Sequence, residues 1–182
     1  MKLTQFYKDT EIALGIVTEH GIVDVTAEAA RREIAAPATM LEAIEGGDAA
    51  LSLLSQLAEN AVCFAEGEAA PVVTGGEKIL CIGLNYRQHA KECNLPLPPA
   101  PVLFNKFSNA LAADGDTVRL LPDYMEYDYE AELVAVMGKI CRNVSPEEAL
   151  DYVFGYTCGN DLSTRDLQFA RSNQWLLSKT LD

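Results

Sequence analysis

Asp128-Tyr129-Glu130-Ala131-Glu132-Leu133-Val134-Ala135-Val136-Met137-Gly138 is the stretch around which the rest of the chain falls into place. Its apolar tail is rich in β-branched residues and stops at a glycine, the pattern of a buried strand. Side chains alternate across a strand, so Glu130, Glu132, Val134 and Val136 share one face, while Ala131, Leu133 and Met137 take the other. Apolar residues on both sides predict a strand covered on both faces. The two carboxylates at its mouth stand ~6–7 Å apart by strand rise. At an effective dielectric of ~20 they repel by roughly 2–3 kcal/mol. Positive charge is therefore expected beside them, whether from lysines at a solvated strand end or from a ligand that the rest of the chain helps to hold.

At 182 residues the chain holds one domain, or one domain with a small appendage. No apolar run approaches the ~20 residues of a membrane span. Met1 to Lys8 alternates like a strand and lacks the apolar centre of a secretion signal. A net charge of −13 argues against nucleic acid, whose phosphates require basic patches. The five cysteines are odd in number and contain no C-x-x-C. Buried free thiols in a reducing cytoplasm are expected, without disulfides or a zinc site.

Leu3–Tyr7, Ile12–Thr18 and Ile22–Thr26 read as a small antiparallel meander broken at Lys8-Asp9-Thr10 and His20-Gly21. Thr39 opens a helix with capping-box spacing to Glu42, which ends at Gly46-Gly47, and Asp48 caps a second one. Nothing in these first seventy residues carries chemistry. After a linker from Gly67 to Gly76, Ile79–Gly83 is a short strand followed by a turn bearing His89 and Glu92. At i, i+3 spacing these two share a helical face, where a carboxylate can orient an imidazole. Val102–Lys106 and Val118–Leu121 read as strands, and Ser145-Pro146-Glu147-Glu148 as a helix start. Tyr152 to Asn160 is a strand delivering Asp161 at its end, with Arg165 and Gln168 following at i, i+3. No P-loop, dinucleotide fingerprint or nucleophile elbow is present.

Several segments together resemble the fumarylacetoacetate hydrolase family. They are Gly83-Leu84-Asn85-Tyr86 with His89 and Glu92, Pro101-Val102-Leu103-Phe104 with Lys106, and Glu130-Ala131-Glu132-Leu133. Gly155-Tyr156, Asn160-Asp161-Leu162-Ser163-Thr164-Arg165-Asp166-Leu167-Gln168, Trp175 and Lys179 complete the set. The resemblance implies an α+β, β-rich fold: a mixed β-sandwich roll, incomplete here. It places an N-terminal accessory domain at 1–70 and the first part of a catalytic domain at 71–182. It further implies that Glu130, Glu132 and Asp161 hold a divalent cation. An all-oxygen carboxylate set suits Mg²⁺ or Mn²⁺, with Ca²⁺ an alternative.

By the same resemblance His89 and Glu92 form a water-activating dyad, Lys179 faces a substrate oxyanion, and Arg165 and Gln168 border the substrate. The implied reaction is metal-dependent hydrolysis of a C–C bond in a 2-oxo or β-dicarbonyl acid. Decarboxylation, hydration or isomerisation of a related acid, or an inactive fragment retaining metal or partner binding, are the alternatives. Family members continue past the lysine through further strands. The chain is therefore expected to be a fragment or one part of a split protein, a homodimer or a chain completed by a partner.

Overall fold

Residues 1–171 and 175–181 are described by the computed structural model. In chain order the elements are β1 (Leu3–Lys8), β2 (Glu11–Thr18), β3 (Gly21–Asp24), α1 (Val25–Arg31), α2 (Met40–Ala58) and β4 (Ala69–Ala70). They continue as β5 (Ile79–Gly83), α3 (Arg87–Glu92), β6 (Val102–Lys106), β7 (Tyr127–Asp128), β8 (Ala131–Met137) and β9 (Val153–Asn160). The last are β10 (Ser163–Thr164), a π-helical turn at Asp166–Arg171, and α4 (Trp175–Lys179). The fold is mixed α/β with small sheets, and it divides into two units.

The first unit comprises Met1–Gly75, Ala112–Thr117 and Leu133–Cys158. Its sheet has the order β3-β2-β1-β4, with antiparallel pairing from Leu3↔Ile16 to Lys8↔Glu11 and from Gly15↔Asp24 to Thr18↔Gly21. The inward residues of these strands meet Val25, Met40, Ala43, Ile44, Leu54 and Leu57 from the helices in one core. Asp24 ends β3 and caps α1 by accepting from Ala27 N–H at 3.0 Å. The meander therefore turns into helix two residues earlier than its β-branched sequence suggests. Gly47, at φ +55° and ψ −139°, kinks α2 into the two helices that the Gly46-Gly47-Asp48 sequence predicts. Only a residue without Cβ takes that backbone easily.

Glu28 is fully buried under this core. Its carboxylate receives Arg31 at 2.5 Å, Arg32 at 2.7 Å, and the backbone N–H groups of Val62 and Cys63 at 3.1 Å each. From the later chain, Val136 and Phe154 pack against the same core, which is why 133–158 groups with the N-terminal residues.

Three expectations need correction here. Leu133 is 66% exposed, Val134 39% and Met137 47%, so β8 is not covered on both faces among the described residues. Ser145 and Glu148 do form the reciprocal capping contacts, at 3.0–3.4 Å, but the chain makes only a 3-10 turn at Ala149–Tyr152. Cys93, Cys141 and Cys158 are exposed and Cys63 and Cys81 half-buried; all five thiols are free.

The second unit comprises Gly76–Leu111, Val118–Glu132 and Gly159–Asp182. β5 and β6 form an antiparallel pair from Ile79↔Lys106 to Gly83↔Val102, and β7 pairs with β10 through Ser163↔Asp128 and Thr164↔Tyr127. No strand forms at Val118–Leu121, where Val118, Leu120 and Leu121 are all exposed. Trp175 lies against β5: a Cβ on Gly83 would stand 2.6 Å from its ring, so glycine is required for that approach. The indole meets Phe104 edge-on at 5.6 Å, which fixes the start of α4 and hence Lys179 at its end. No helix among the described residues is long and apolar enough to cross a membrane.

Candidate metal and substrate site

Glu130, Glu132 and Asp161 lie together in the second unit, one oxygen of each within 4.8 Å of the others. Backbone hydrogen bonds explain the convergence. Asp161 N–H donates to the Glu130 carbonyl at 2.9 Å, and Glu130 N–H donates to Asn160 Oδ1 at 3.1 Å. The end of β9 is thereby tied to the residue that opens β8. Glu132 follows two residues later on the same strand face.

Three basic side chains answer the charge. Lys179 Nζ donates to Glu130 Oε2 at 2.6 Å and Asp161 Oδ2 at 3.0 Å. Its side chain is only 3% exposed and its ammonium stands 5.5 Å from the centre of the Phe104 ring. Lys106 Nζ donates to Asp161 Oδ1 at 2.9 Å and to the backbone carbonyl of Lys179. Arg165 reaches Glu130 Oε1 at 2.5 Å and Asp128 Oδ2 at 2.8 Å, and its third donor goes to Gln168 Oε1 at 2.7 Å. Gln168 is buried and serves here to orient the guanidinium.

Burial pushes the Asp161 carboxyl up, but Lys106 and then Lys179 outweigh it and hold the group below the usual carboxylate range. Glu132 shifts the other way: burial first, then the charges of Asp161 and Glu130, raise it. Among the described residues Glu132 has no hydrogen-bond or ion-pair partner. Cys81, on β5, is pushed up to about 11, chiefly by burial and then by Asp161, and stays a thiol. The donor set thus fits a hard divalent cation: three clustered carboxylate oxygens, one of them uncompensated, with neither imidazole nor thiolate among the ligands.

His89 is half-buried on α3 and close enough to Glu132 for its charge to act on that carboxylate. Glu92 does not pair with it. It is exposed and accepts from Gln88 Nε2 at 3.1 Å, while the nearest polar partner of the His89 ring is Cys93 Sγ at 3.9 Å from either nitrogen. Helical spacing allowed Glu92 two neighbours, and Gln88 at i, i−4 takes it. Lys106 is the site residue to which sequence reasoning gave no role. Its signal was modest: a lysine ending a strand that pairs with β5, at a position where Ile79 is its partner. A groove of about 610 Å³ is lined by Ile79, Leu103, Phe104, Lys106 and their neighbours, and none of the three carboxylates lines it.

The family model for the fumarylacetoacetate (FAA) hydrolase C-terminal region matches residues 78–182. "Oxaloacetate tautomerase fahd2, mitochondrial" from Xenopus laevis is 36% identical over 190 residues, covering 100% of this chain and 58% of that protein. "Fumarylacetoacetate hydrolase domain-containing protein 2 homolog" from Dictyostelium discoideum is 50% identical over 114 residues, covering 62% of this chain and 37% of that protein. Among solved structures, fumarylacetoacetate hydrolase from Exiguobacterium antarcticum superposes with a TM-score of 0.71 at 28% identity, covering 100% of this chain and 62% of that one. Maleylpyruvate hydrolase from Sphingobium sp. SYK-6, in complex with manganese(II) and pyruvate, superposes with a TM-score of 0.72 at 25% identity, covering 100% and 65%. The matched stretches cover 37% to 65% of the length of these proteins. Its matched region, its fold and its carboxylate cluster agree: the chain belongs to the fumarylacetoacetate hydrolase family.

Proposed function

We propose that this chain carries a divalent-metal-dependent site for enolisable 2-oxo acids, with keto–enol isomerisation of an oxaloacetate-like diacid as its reaction. The observation that carries this reading is Lys179, an ammonium almost fully buried and held between Glu130 and Asp161. There it meets the oxygen on which charge develops when a 2-oxo acid enolises. Glu130, Glu132 and Asp161 would hold the cation, Mg²⁺ or Mn²⁺, which when bound draws electron density from the 2-oxo group and acidifies the neighbouring C–H.

His89 takes the proton from the carbon next to the carbonyl, and the C–H electron pair becomes the new C=C bond. Lys179 gives a proton to the former carbonyl oxygen and is reprotonated from solvent, so that the keto acid becomes its enol. Arg165, oriented by Gln168, faces a substrate carboxylate. This chemistry needs no attacking water, which accords with a Glu92 that bonds to Gln88. The oxaloacetate tautomerase names of the amphibian and mammalian relatives support the same choice.

Hydrolysis of a C–C bond is the second reading, favoured by the likeness to maleylpyruvate hydrolase with manganese and pyruvate. It requires Glu92 to turn from Gln88 to His89 when substrate is present, so that the pair activates water. A mixed β-sandwich roll with 1–70 as an accessory domain is the inferred architecture. A homodimer or a partner chain would cover its open strands. Cytoplasmic residence is the sequence-based inference, and the mitochondrial names of relatives make the mitochondrion the competing address.

The test follows the ultraviolet absorbance of enol-oxaloacetate, and pyruvate release from an acylpyruvate, with Mg²⁺ or Mn²⁺ present. Faster tautomer equilibration, lost in Glu132→Gln and reduced in His89→Ala and Lys179→Met, is the expected result. Acylpyruvate cleavage without tautomer equilibration would install hydrolysis instead. Neither activity would remove both readings.

A further inference from the structure

We propose that Cys93 is a covalent modification site for small neutral or cationic disulfides, and that its mixed disulfide disables His89. The second half rests on the role given to His89 above, and the first half stands without it.

Local structure makes the pair. Cys93 closes α3 in helical backbone, its N–H donating to the His89 carbonyl at 3.0 Å. Residues four apart share a helical face, so the thiol meets the imidazole of the preceding turn. Its Sγ stands 3.9 Å from Nδ1 and 3.9 Å from Nε2. Asn94 then takes left-handed backbone at φ +53°, which ends the helix and leaves Cys93 exposed while His89 is half-buried. Glu92 bonds to Gln88 and does not compete for the ring. Exposure does not single this cysteine out, because Cys141 and Cys158 are exposed as well. The imidazole does: of the three, Cys93 alone among the described residues has a polar side chain within hydrogen-bonding distance of its sulfur.

A neutral imidazole carries one bare nitrogen in either tautomer. Both ring nitrogens are equally distant from the sulfur, so either tautomer presents a proton acceptor to the thiol. The thiol proton passes to that nitrogen as the sulfur attacks one sulfur of the disulfide. The S–S bond of the reagent breaks, a new one joins it to Cys93, and the departing thiolate takes the proton back from the imidazolium. Cys93 is oxidised, and the released half of the reagent is reduced. A net charge of −13 favours a neutral or cationic disulfide over an anionic one. The product hangs a further group on a sulfur already beside the ring, where it stands between His89 and a substrate C–H.

The test treats the full chain, purified as whatever assembly it forms, with dithiodipyridine, a neutral disulfide, and follows each cysteine by peptide mass spectrometry. Cys93 should be modified about tenfold faster than Cys141 and Cys158, and His89→Gln should bring its rate to within about twofold of theirs. His20 and His89 are the only histidines, so proton NMR gives two sets of imidazole C–H signals, which His89→Gln assigns. Modification should move the His89 signals and leave those of His20, and in Cys93→Ser the reagent should move neither. Equal rates at the three exposed thiols, an undiminished Cys93 rate in His89→Gln, or unmoved His89 signals after full modification overturns the proposal. Tautomer equilibration should be lost on modification and restored by dithiothreitol, with Cys93→Ser active and resistant. Full activity with Cys93 modified overturns the disabling of His89. No tautomerase activity in the untreated chain removes the functional reading instead, and the rates and NMR signals still decide the site.

Discussion

Replacing Glu132 by glutamine should make the metal-free protein more stable while destroying its metal site. Glu132 stands within 4.8 Å of both Glu130 and Asp161 in ligand-atom distance and lacks a cation partner among the described residues. At an effective dielectric of ~20, two like charges at that separation repel by roughly 3.5 kcal/mol per pair. Lys179 offsets part of this, because its charge also reaches Glu132. Solvent screening removes more, since Glu132 is only half-buried. A net gain of ~1–2 kcal/mol for Glu132→Gln is what survives. Glutamine keeps the size and one oxygen, so packing contributes little to the difference.

The assay is thermal and urea unfolding at pH 7.5 in EDTA, paired with Mn²⁺ titration. Glu132→Gln should melt above wild type in EDTA and take up no Mn²⁺, so that saturating Mn²⁺ reverses the order of the two melts. A variant less stable than wild type in EDTA, or one binding Mn²⁺ with undiminished affinity, would refute the view that this carboxylate is strained for a ligand's sake.

Other perturbations test the frame. Glu28→Ala leaves the Val62 and Cys63 N–H groups without an acceptor, at ~1–3 kcal/mol each. The Arg31 bond first, with Arg32 and the two N–H groups, holds Glu28 well below the usual carboxylate range against its burial. Its stabilisation is therefore complete above the unfolded value of ~4.3 and drains away as pH falls below it. The gap between wild type and Glu28→Ala in urea unfolding should be widest near pH 7 and narrow through pH 4 and below. Gly83→Ala drives a methyl into Trp175 and should cost ~1–3 kcal/mol. Trp175 is the only tryptophan, so a shifted emission maximum reports the displacement directly. Leu103, Leu133 and Ile140 are 63%, 66% and 98% exposed. Light scattering should detect concentration-dependent association of the isolated chain, and Leu103→Lys with Leu133→Lys should lessen it without lowering the melting temperature.

Short apolar runs broken at Lys8-Asp9-Thr10 and His20-Gly21 located the first three strands, although each buries consecutive residues and so has cover on both faces over part of its length. The paired glycines located the kink in α2, since the combination of φ +55° with ψ −139° belongs to that residue type. Coverage of β8 was not legible. Hydrophobicity records which residues favour burial, whereas exposure of Leu133 and Met137 depends on which elements stand opposite them. The carboxylate cluster was anticipated through a family pattern, and its geometry comes from the Asp161–Glu130 backbone bond, which no spacing rule reveals. His89 and Glu92 show the limit of i, i+3 reasoning. A helix offers a side chain several neighbours, and here Gln88 competes for Glu92. Lys106 escaped notice because nothing local distinguishes a strand-end lysine bound for solvent from one bound for Asp161, 55 residues away.

The bond from Lys106 to the Lys179 carbonyl has an evolutionary reading. It grips main chain, and main chain is the same whatever residue occupies position 179. The placement of that position is thus insulated from its identity. A lineage can exchange the side chain there, trading an ammonium for a hydroxyl or an imidazole, without rebuilding the scaffold that aims it. Such separation of address from occupant would let a single substitution change the chemistry presented at that place.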